Sequence, residues 1–257
     1  MSALEWSQAV WKVAGRTVDL DICEHEFLHD ILVQHLPKEA LLLDAGCGTG
    51  RWPIYLRRHG YRAIGVEIDH EAAVVAREHD AGLALAQADV WRLPFKSHSL
   101  DVVLSLGVVE HNEDGPLDAL RETQRVLKRG GLLFLAVPFN NPFRRLVVNH
   151  LQTYVNRQRR KIHPEFRFGE YRFTQREVRS FLQRTGFEVI AAYPNDTRPP
   201  WTVGLWVDYS NLIFSPLAPQ SGTPFILPGW KGKAARRALR MFPWLVCAEI
   251  AVVARAR

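Results

Sequence analysis

The chain has 257 residues, 47% of them hydrophobic, with a formal charge of +6 and a pI near 9.4. That composition supplies one large core with room for insertions, while three scattered cysteines without a CxxC pair exclude a disulfide framework or a thiolate zinc site. No apolar run approaches the ~18 residues needed to span a bilayer, and the positive charge favours an anionic neighbour, membrane or nucleic acid, without choosing between them. The opening MSALEWSQAVWK has no basic segment leading into an apolar one, so no signal peptide is expected and the cytoplasm is the expected compartment.

Residues 1–38 read as an N-terminal helical cap. Within them His25, Glu26 and His29 match HExxH formally. On one helix the two histidines share a face, as zinc requires, which makes a metallohydrolase the remote alternative. No third ligand is placed by spacing, so no metal site is expected.

Residues 41–50, LLLDAGCGTG, are the most informative stretch. A buried strand enters a turn with glycine at 46, 48 and 50, where the backbone can take positive φ and a ligand can touch it directly. Residues 51–59 then begin a helix whose free N–H groups face the turn. Strand, bare loop and helix in this order form a nucleotide-type cofactor site.

Further apolar strand patterns lie at 62–68, 83–88, 100–106 and 131–137, with helical patterns at 51–59, 70–79 and 116–128 between them. Gly130-Gly131 is expected to stop the last helix and open the next strand. Such alternation implies a parallel sheet with helices on both faces. Residues 174–193 add a helix and a strand, with Thr174 as N-cap, Glu177 in the capping-box position and Gly186 as C-cap. The run 246–254 is expected as a last strand.

Two stretches interrupt this pattern. Residues 142–172 are strongly basic, with Val147, Leu151, Tyr154 and Val155 on one face of a predicted helix over 145–158. Residues 194–245 are rich in proline and tryptophan and carry Lys231, Lys233, Arg236, Arg237 and Arg240.

Acidic residues recur near the strand ends. Glu67 closes GVEID, and its two acceptor oxygens suit both hydroxyls of a ribose, with Asp69 as the competing choice. Asp89 ends ALAQAD, where it can accept an exocyclic amine. Ligands of open α/β sheets sit at the carboxyl ends of the strands, so these positions converge. A dinucleotide reading fails: the third glycine of GxGxxG falls on Arg51 or on Pro53, depending on register.

The segments LLLDAGCGTGRW, AIGVEID, AQADVWRLPF, SLDVVLSLGVVEH, ALRETQRVLKRGGLLFLAVP and YRFTQREVRSFLQRTGFEVI resemble the class I S-adenosylmethionine-dependent methyltransferases, in particular the type-11 group that includes ubiquinone and menaquinone biosynthesis enzymes. The match covers residues 40–193 and the last strand. It implies a Rossmann-like α/β fold: a seven-stranded, mostly parallel sheet with helices on both faces, its last strand antiparallel and inserted beside the fifth, and two substrate-side insertions in a single domain. It also implies S-adenosyl-L-methionine as cofactor. Asp44, Gly46, Cys47, Gly48 and Gly50 would line the methionine end. Glu67, with Ile68 beside it, would take the ribose hydroxyls, Asp89 and Val90 the adenine, and Leu106 would lie by the methionine.

Such a cofactor carries an electrophilic methyl group, so the protein must align a nucleophile with it. A phenol or enol acceptor benefits from a base of near-neutral pKa, and Glu110-His111, just after the fourth strand, is the candidate pair. The other reading makes His111 a wall residue and Glu110 a structural hydrogen-bonder. That position carries neither the Asn/Asp-Pro-Pro-aromatic motif of amino methylation nor a Pro-Cys nucleophile, so nucleic acid is not the expected substrate. The basic segments 142–172 and 231–244 read as lids over the acceptor, with contact to an anionic membrane as the other reading. The expected reaction is methyl transfer to oxygen, or else carbon, of a small lipophilic acceptor. The alternatives are an RNA or protein methyltransferase and a cofactor-binding protein without catalysis.

Overall fold

A computed structural model describes residues 18–150, 170–195 and 229–257. Two short helices, α1 (Asp21–His25) and α2 (Phe27–His35), precede β1 (Leu41–Ala45), α3 (Arg51–Arg58), β2 (Arg62–Glu67), α4 (His70–His79), β3 (Ala84–Gln87) and β4 (Leu100–Leu106). After a 3-10 turn at Val109–His111 come α5 (Leu117–Val126) and β5 (Leu127–Pro138), and later α6 (Gln175–Arg184), β6 (Phe187–Asn195), α7 (Gly229–Met241), α8 (Pro243–Val246) and β7 (Glu249–Ala256). The sheet order is β3-β2-β1-β4-β5-β7-β6, with β7 antiparallel to both neighbours and every other pairing parallel. This is the expected Rossmann-like, seven-stranded sheet.

Central parallel strands are covered on both faces, which is why they read as unbroken apolar runs. Successive side chains point to opposite faces. Leu42, Val102, Leu104 and Phe134 thus pack with Leu28, Ile31 and Leu32 of α2 and Trp52 and Tyr55 of α3. Leu43, Val103, Leu133 and Leu135 pack with Leu120 and Val126 of α5 and Val178 and Leu182 of α6. The Thr174–Glu177 capping box is present, and Gly186 takes φ +85° just beyond the end of α6.

Four local expectations are corrected. The helix expected over 116–128 stops at Val126, and β5 already begins at Leu127. Its register jumps from Leu100–Leu127 to Val102–Leu132, so 128–131 bulge out and Gly130 takes φ +80°. A Cβ on Gly131 would stand 2.9 Å from the Lys128 carbonyl oxygen, so the glycine pair makes a bulge and does not end a helix. The last strand starts at Glu249 and not at 246, because α8 closes with the Cys247 N–H on the Pro243 carbonyl. The basic segment opens as a π turn over Arg144–Val148; Leu151, Tyr154 and Val155 lie outside the described residues. The 231–244 segment divides at Phe242, whose φ of −138° and ψ of 61° interrupt the helix before Pro243.

Candidate cofactor and acceptor site

The parallel strands end along one edge of the sheet, and β7, running the other way, begins there at Glu249. β1 leads into the glycine turn. The N–H groups of Gly46 and Cys47 donate to the Val66 carbonyl at 2.8 and 2.9 Å, and that of Gly50 donates to Cys47 at 3.0 Å. Gly46, Gly48 and Gly50 take φ of +86°, +56° and +82°. A Cβ on Gly46 would come within 2.6 Å of Val108 Cγ2, so both the torsion and the space require glycine.

Glu67, buried at the end of β2, braces this turn. Its Oε2 accepts the Gly48 N–H at 2.8 Å and its Oε1 accepts the Asp69 N–H at 2.9 Å. An ionised carboxylate has about four lone-pair sites, so acceptor capacity remains. Asp69, the competing ribose contact, is engaged as N-cap of α4, taking the Ala72 N–H at 3.0 Å. Ile68 is half-buried between them, its carbonyl accepting from Gln87 Nε2 at 3.3 Å. Asp89 lies two residues beyond β3 in an Asx turn, accepting the Trp91 N–H at 3.0 Å, with Val90 buried behind it. Leu106 is half-buried at the end of β4. Cys47 is buried under the turn, and its burial pushes the thiol well above the usual range. It is a packing residue, not a nucleophile.

Asp44 is buried between β2 and β4, opposite Gly65 and Leu104 in register. Burial, and then the Glu67 carboxylate, push its pKa up to about 7, with Arg51 opposing. A pKa raised on folding stabilises the folded chain fully below the unfolded value, and that stability is lost as pH rises through about 7. Asp44→Asn is therefore expected to raise the melting temperature of the ligand-free protein at pH 8, and to raise it by clearly less at pH 5. Thermal unfolding at the two pH values checks this; a lower melting temperature at pH 8 would refute the account.

Just after β4, Glu110 and His111 are both buried, at 2% and 6% exposure. His111 Nε2 lies 3.6 Å from Glu110 Oε1, an ion-pair distance and not a hydrogen bond. Glu110 Oε2 is buried without a hydrogen-bond partner. Burial holds this carboxyl well above the carboxylate range, backbone N–H groups oppose it, and Glu249 and Glu170 add to it. Burial thus disfavours the charged form of Glu110. The chain returning from the basic insertion seals the pair: the Tyr171 N–H donates to the Glu110 carbonyl at 2.9 Å, and its hydroxyl donates to the Glu113 carbonyl at 2.8 Å.

Sequence reasoning missed several residues here. Arg144 belongs to the basic insertion by composition, yet it is buried and donates to the carbonyls of Phe139 and Ala248, both at 2.7 Å. Glu249 meets Asn195, whose Nδ2 donates to Oε2 at 3.0 Å, and burial raises its pKa. In both cases a partner is distant in sequence, Ala248 for Arg144 and Asn195 for Glu249, so local pattern carried no signal of it. The HExxH reading fails on geometry. α1 ends at His25, Glu26 is extended (φ −72°, ψ 145°), and α2 starts at Phe27, which puts the histidines on different helices. Glu26 instead pairs with Arg51 at 2.7 Å.

Comparison with known proteins matches residues 43–135 to a family described as a methyltransferase domain. A probable S-adenosylmethionine-dependent methyltransferase of Mycobacterium tuberculosis is 34% identical over 143 residues, 53% of this chain and 52% of that one. A malonyl-[acyl-carrier protein] O-methyltransferase of Enterobacter lignolyticus is 34% identical over 106 residues, 40% of this chain and 42% of that one. The chain thus spans about half the length of the first of these and less of the second. Among solved structures, geranyl diphosphate C-methyltransferase from Streptomyces coelicolor, crystallised with Mg2+, geranyl diphosphate and S-adenosyl-L-homocysteine, superposes with a TM-score of 0.59. It is 15% identical and the match covers 90% of this chain and 77% of that one, a likeness of fold.

Proposed function

We propose, for a chain that belongs to the class I S-adenosylmethionine-dependent methyltransferases, methyl transfer to an oxygen, or else a carbon, of a small lipophilic acceptor. The observation that carries this reading is the juxtaposition at one sheet edge. A bare glycine turn braced by Glu67 stands at the end of β1, and the buried Glu110–His111 pair follows β4, the strand beside it. We read the chain as one domain, with residues 1–38 as a cap and 142–172 and 194–245 as acceptor-side insertions.

The residues present fit the cofactor. Asp44 complements a cationic amino-acid end, Glu67 the two ribose hydroxyls, and Asp89 with Val90 the adenine, while the positive φ of Gly46, Gly48 and Gly50 keeps the turn bare of side chains. Once bound, S-adenosylmethionine supplies a methyl group on a sulfonium, already activated for transfer. The protein then has to hold the acceptor in line, exclude water and remove a proton. His111 serves as the base, with the buried Glu110 carboxyl 3.6 Å from its ring. Half-buried Trp244, its ring edge-on to buried Phe139 at 5.7 Å, contributes an apolar wall. The relative named an O-methyltransferase supports oxygen as the receiving atom.

The test is incubation with S-adenosylmethionine labelled in the methyl group and a panel of apolar phenols, enols and carboxylic acids. Label in a small product is the expected result. Label in RNA or protein alone would favour the alternative substrates, and cofactor binding without transfer would leave a non-catalytic binding protein. Peripheral contact with an anionic membrane belongs to the same reading. Leu146 and Trp230 are each 75% exposed and Phe242 57%, close in sequence to the cations Arg145, Lys233, Arg237 and Arg240. No described helix is long and apolar enough to cross a membrane. The protein is expected to co-sediment with anionic vesicles at low salt and to be released at high salt, since each cation near such a surface adds about 1 kcal/mol before screening. Failure to sediment at low salt would leave the segments as lids only.

A further inference from the structure

The amides of the glycine turn are engaged within the protein. Gly46 and Cys47 donate to Val66, Gly48 to Glu67, and Gly50 to Cys47. A turn so occupied meets the ammonium of an amino acid through Asp44, but these four amides offer nothing to its carboxylate. Among the described residues a charged donor next to the turn is Arg51, the first residue of α3, directly after Gly50. Its charge reaches inward as well, opposing the ionisation penalty on Asp44 and on buried Cys23. In this structure the guanidinium already holds a carboxylate, that of Glu26, with Nη1 to Oε1 at 2.7 Å and the Glu26 side chain only 12% exposed. Glu26 sits at the break between α1 and α2, and its charge is felt at Glu249 across the site.

We propose that Arg51 receives the α-carboxylate of the cofactor's amino-acid end and that Glu26 occupies the guanidinium in its place until then. The proposal rests on the cofactor reading above. The Glu26 carboxylate is a chemical stand-in for the α-carboxylate, since both match the planar donor fork of a guanidinium. Asp44 and Arg51 together form a complementary pair for the zwitterion, one partner for each charge. Cofactor and N-terminal helices thus compete for one guanidinium, and occupancy of the site is felt at the α1–α2 junction.

The experiment is calorimetric titration of the full chain with S-adenosylmethionine and, separately, with 5′-methylthioadenosine, which lacks the amino-acid end. Arg51→Gln is expected to weaken S-adenosylmethionine by about 10-fold or more and to leave 5′-methylthioadenosine within about twofold. Glu26→Gln, which removes the competitor, is expected to tighten S-adenosylmethionine by about 3- to 10-fold, again without effect on 5′-methylthioadenosine. Weaker S-adenosylmethionine binding in Glu26→Gln, or equal losses for both ligands in Arg51→Gln, overturns the proposal. If Arg51→Gln does not fold, Glu26→Gln decides alone. If the unaltered chain binds 5′-methylthioadenosine but not S-adenosylmethionine, the Arg51 assignment fails and the nucleoside site stands. If it binds neither, the cofactor reading falls and takes the proposal with it.

Discussion

His111→Ala is expected to lower turnover by about 100-fold or more, with cofactor affinity unchanged, because a positioned general base contributes roughly that factor. His111 is buried at the turn after β4, and its ring meets Glu110 at 3.6 Å. The variant should also lose the dependence on pH near neutrality that a histidine base confers. Glu110 refines the expectation. Its burial raises its pKa well above the carboxylate range, which disfavours a charged carboxylate beside the imidazole. Glu110→Gln, neutral and of the same shape, should then cost less than about tenfold, and a loss as large as that of His111→Ala would mean that the carboxylate works ionised. Steady-state rates over pH 5.5–9 for both variants measure this (~2 units either side of neutrality). Near-normal turnover in His111→Ala would reduce the residue to a wall of the pocket.

Glu67→Ala is expected to act on binding and on folding together. Removing the proposed ribose contact should cut S-adenosylmethionine affinity at least tenfold, about 1.4 kcal/mol. The fold should lose about 1–3 kcal/mol as well, because the Gly48 and Asp69 N–H groups, held at 2.8 and 2.9 Å, would be left without their acceptor. Calorimetry and thermal unfolding of the same preparation separate the two effects. A folded variant with unchanged affinity would remove the ribose contact from Glu67. Asp69 would then be the next carboxylate to test, one of its oxygens being held by the Ala72 N–H as the N-cap of α4. Selective binding of NAD in place of S-adenosylmethionine would contradict the family assignment.

Both predictions depend on how β2 and β4 end, and these ends differ in how far the sequence revealed them. GVEID at the close of an apolar run is a local pattern, and Glu67 stands where that pattern puts it. The different surroundings of Glu67 and Asp69 were not local. One carboxylate reaches Gly48, nineteen residues back in the chain, and the other the amide of Ala72. Likewise, the position of Glu110-His111 after the fourth strand was legible, whereas the Glu249 and Glu170 charges that raise the Glu110 pKa come from distant segments.

Whatever depends on residues a few places apart was settled by the sequence alone. The parallel core strands show as apolar runs, the site turn as three alternate glycines, and the start of α6 as Thr174 with Glu177 three residues on. These are effects of backbone torsion, side-chain period and capping, which act over one or two turns of chain. Tertiary structure decided what depends on contacts across the sheet edge. It made Gly130-Gly131 a bulge opposite Asp101, delayed β7 to Glu249, and buried Arg144 on the carbonyls of Phe139 and Ala248. It also separated His25 from His29 and set Glu26 against Arg51. For Arg144, the bulge and the Glu26–Arg51 pair, the physical reason is a bond between segments far apart in the chain, which offsets a local preference worth about 1 kcal/mol or less; for β7 it is the short helix at Pro243 that precedes it.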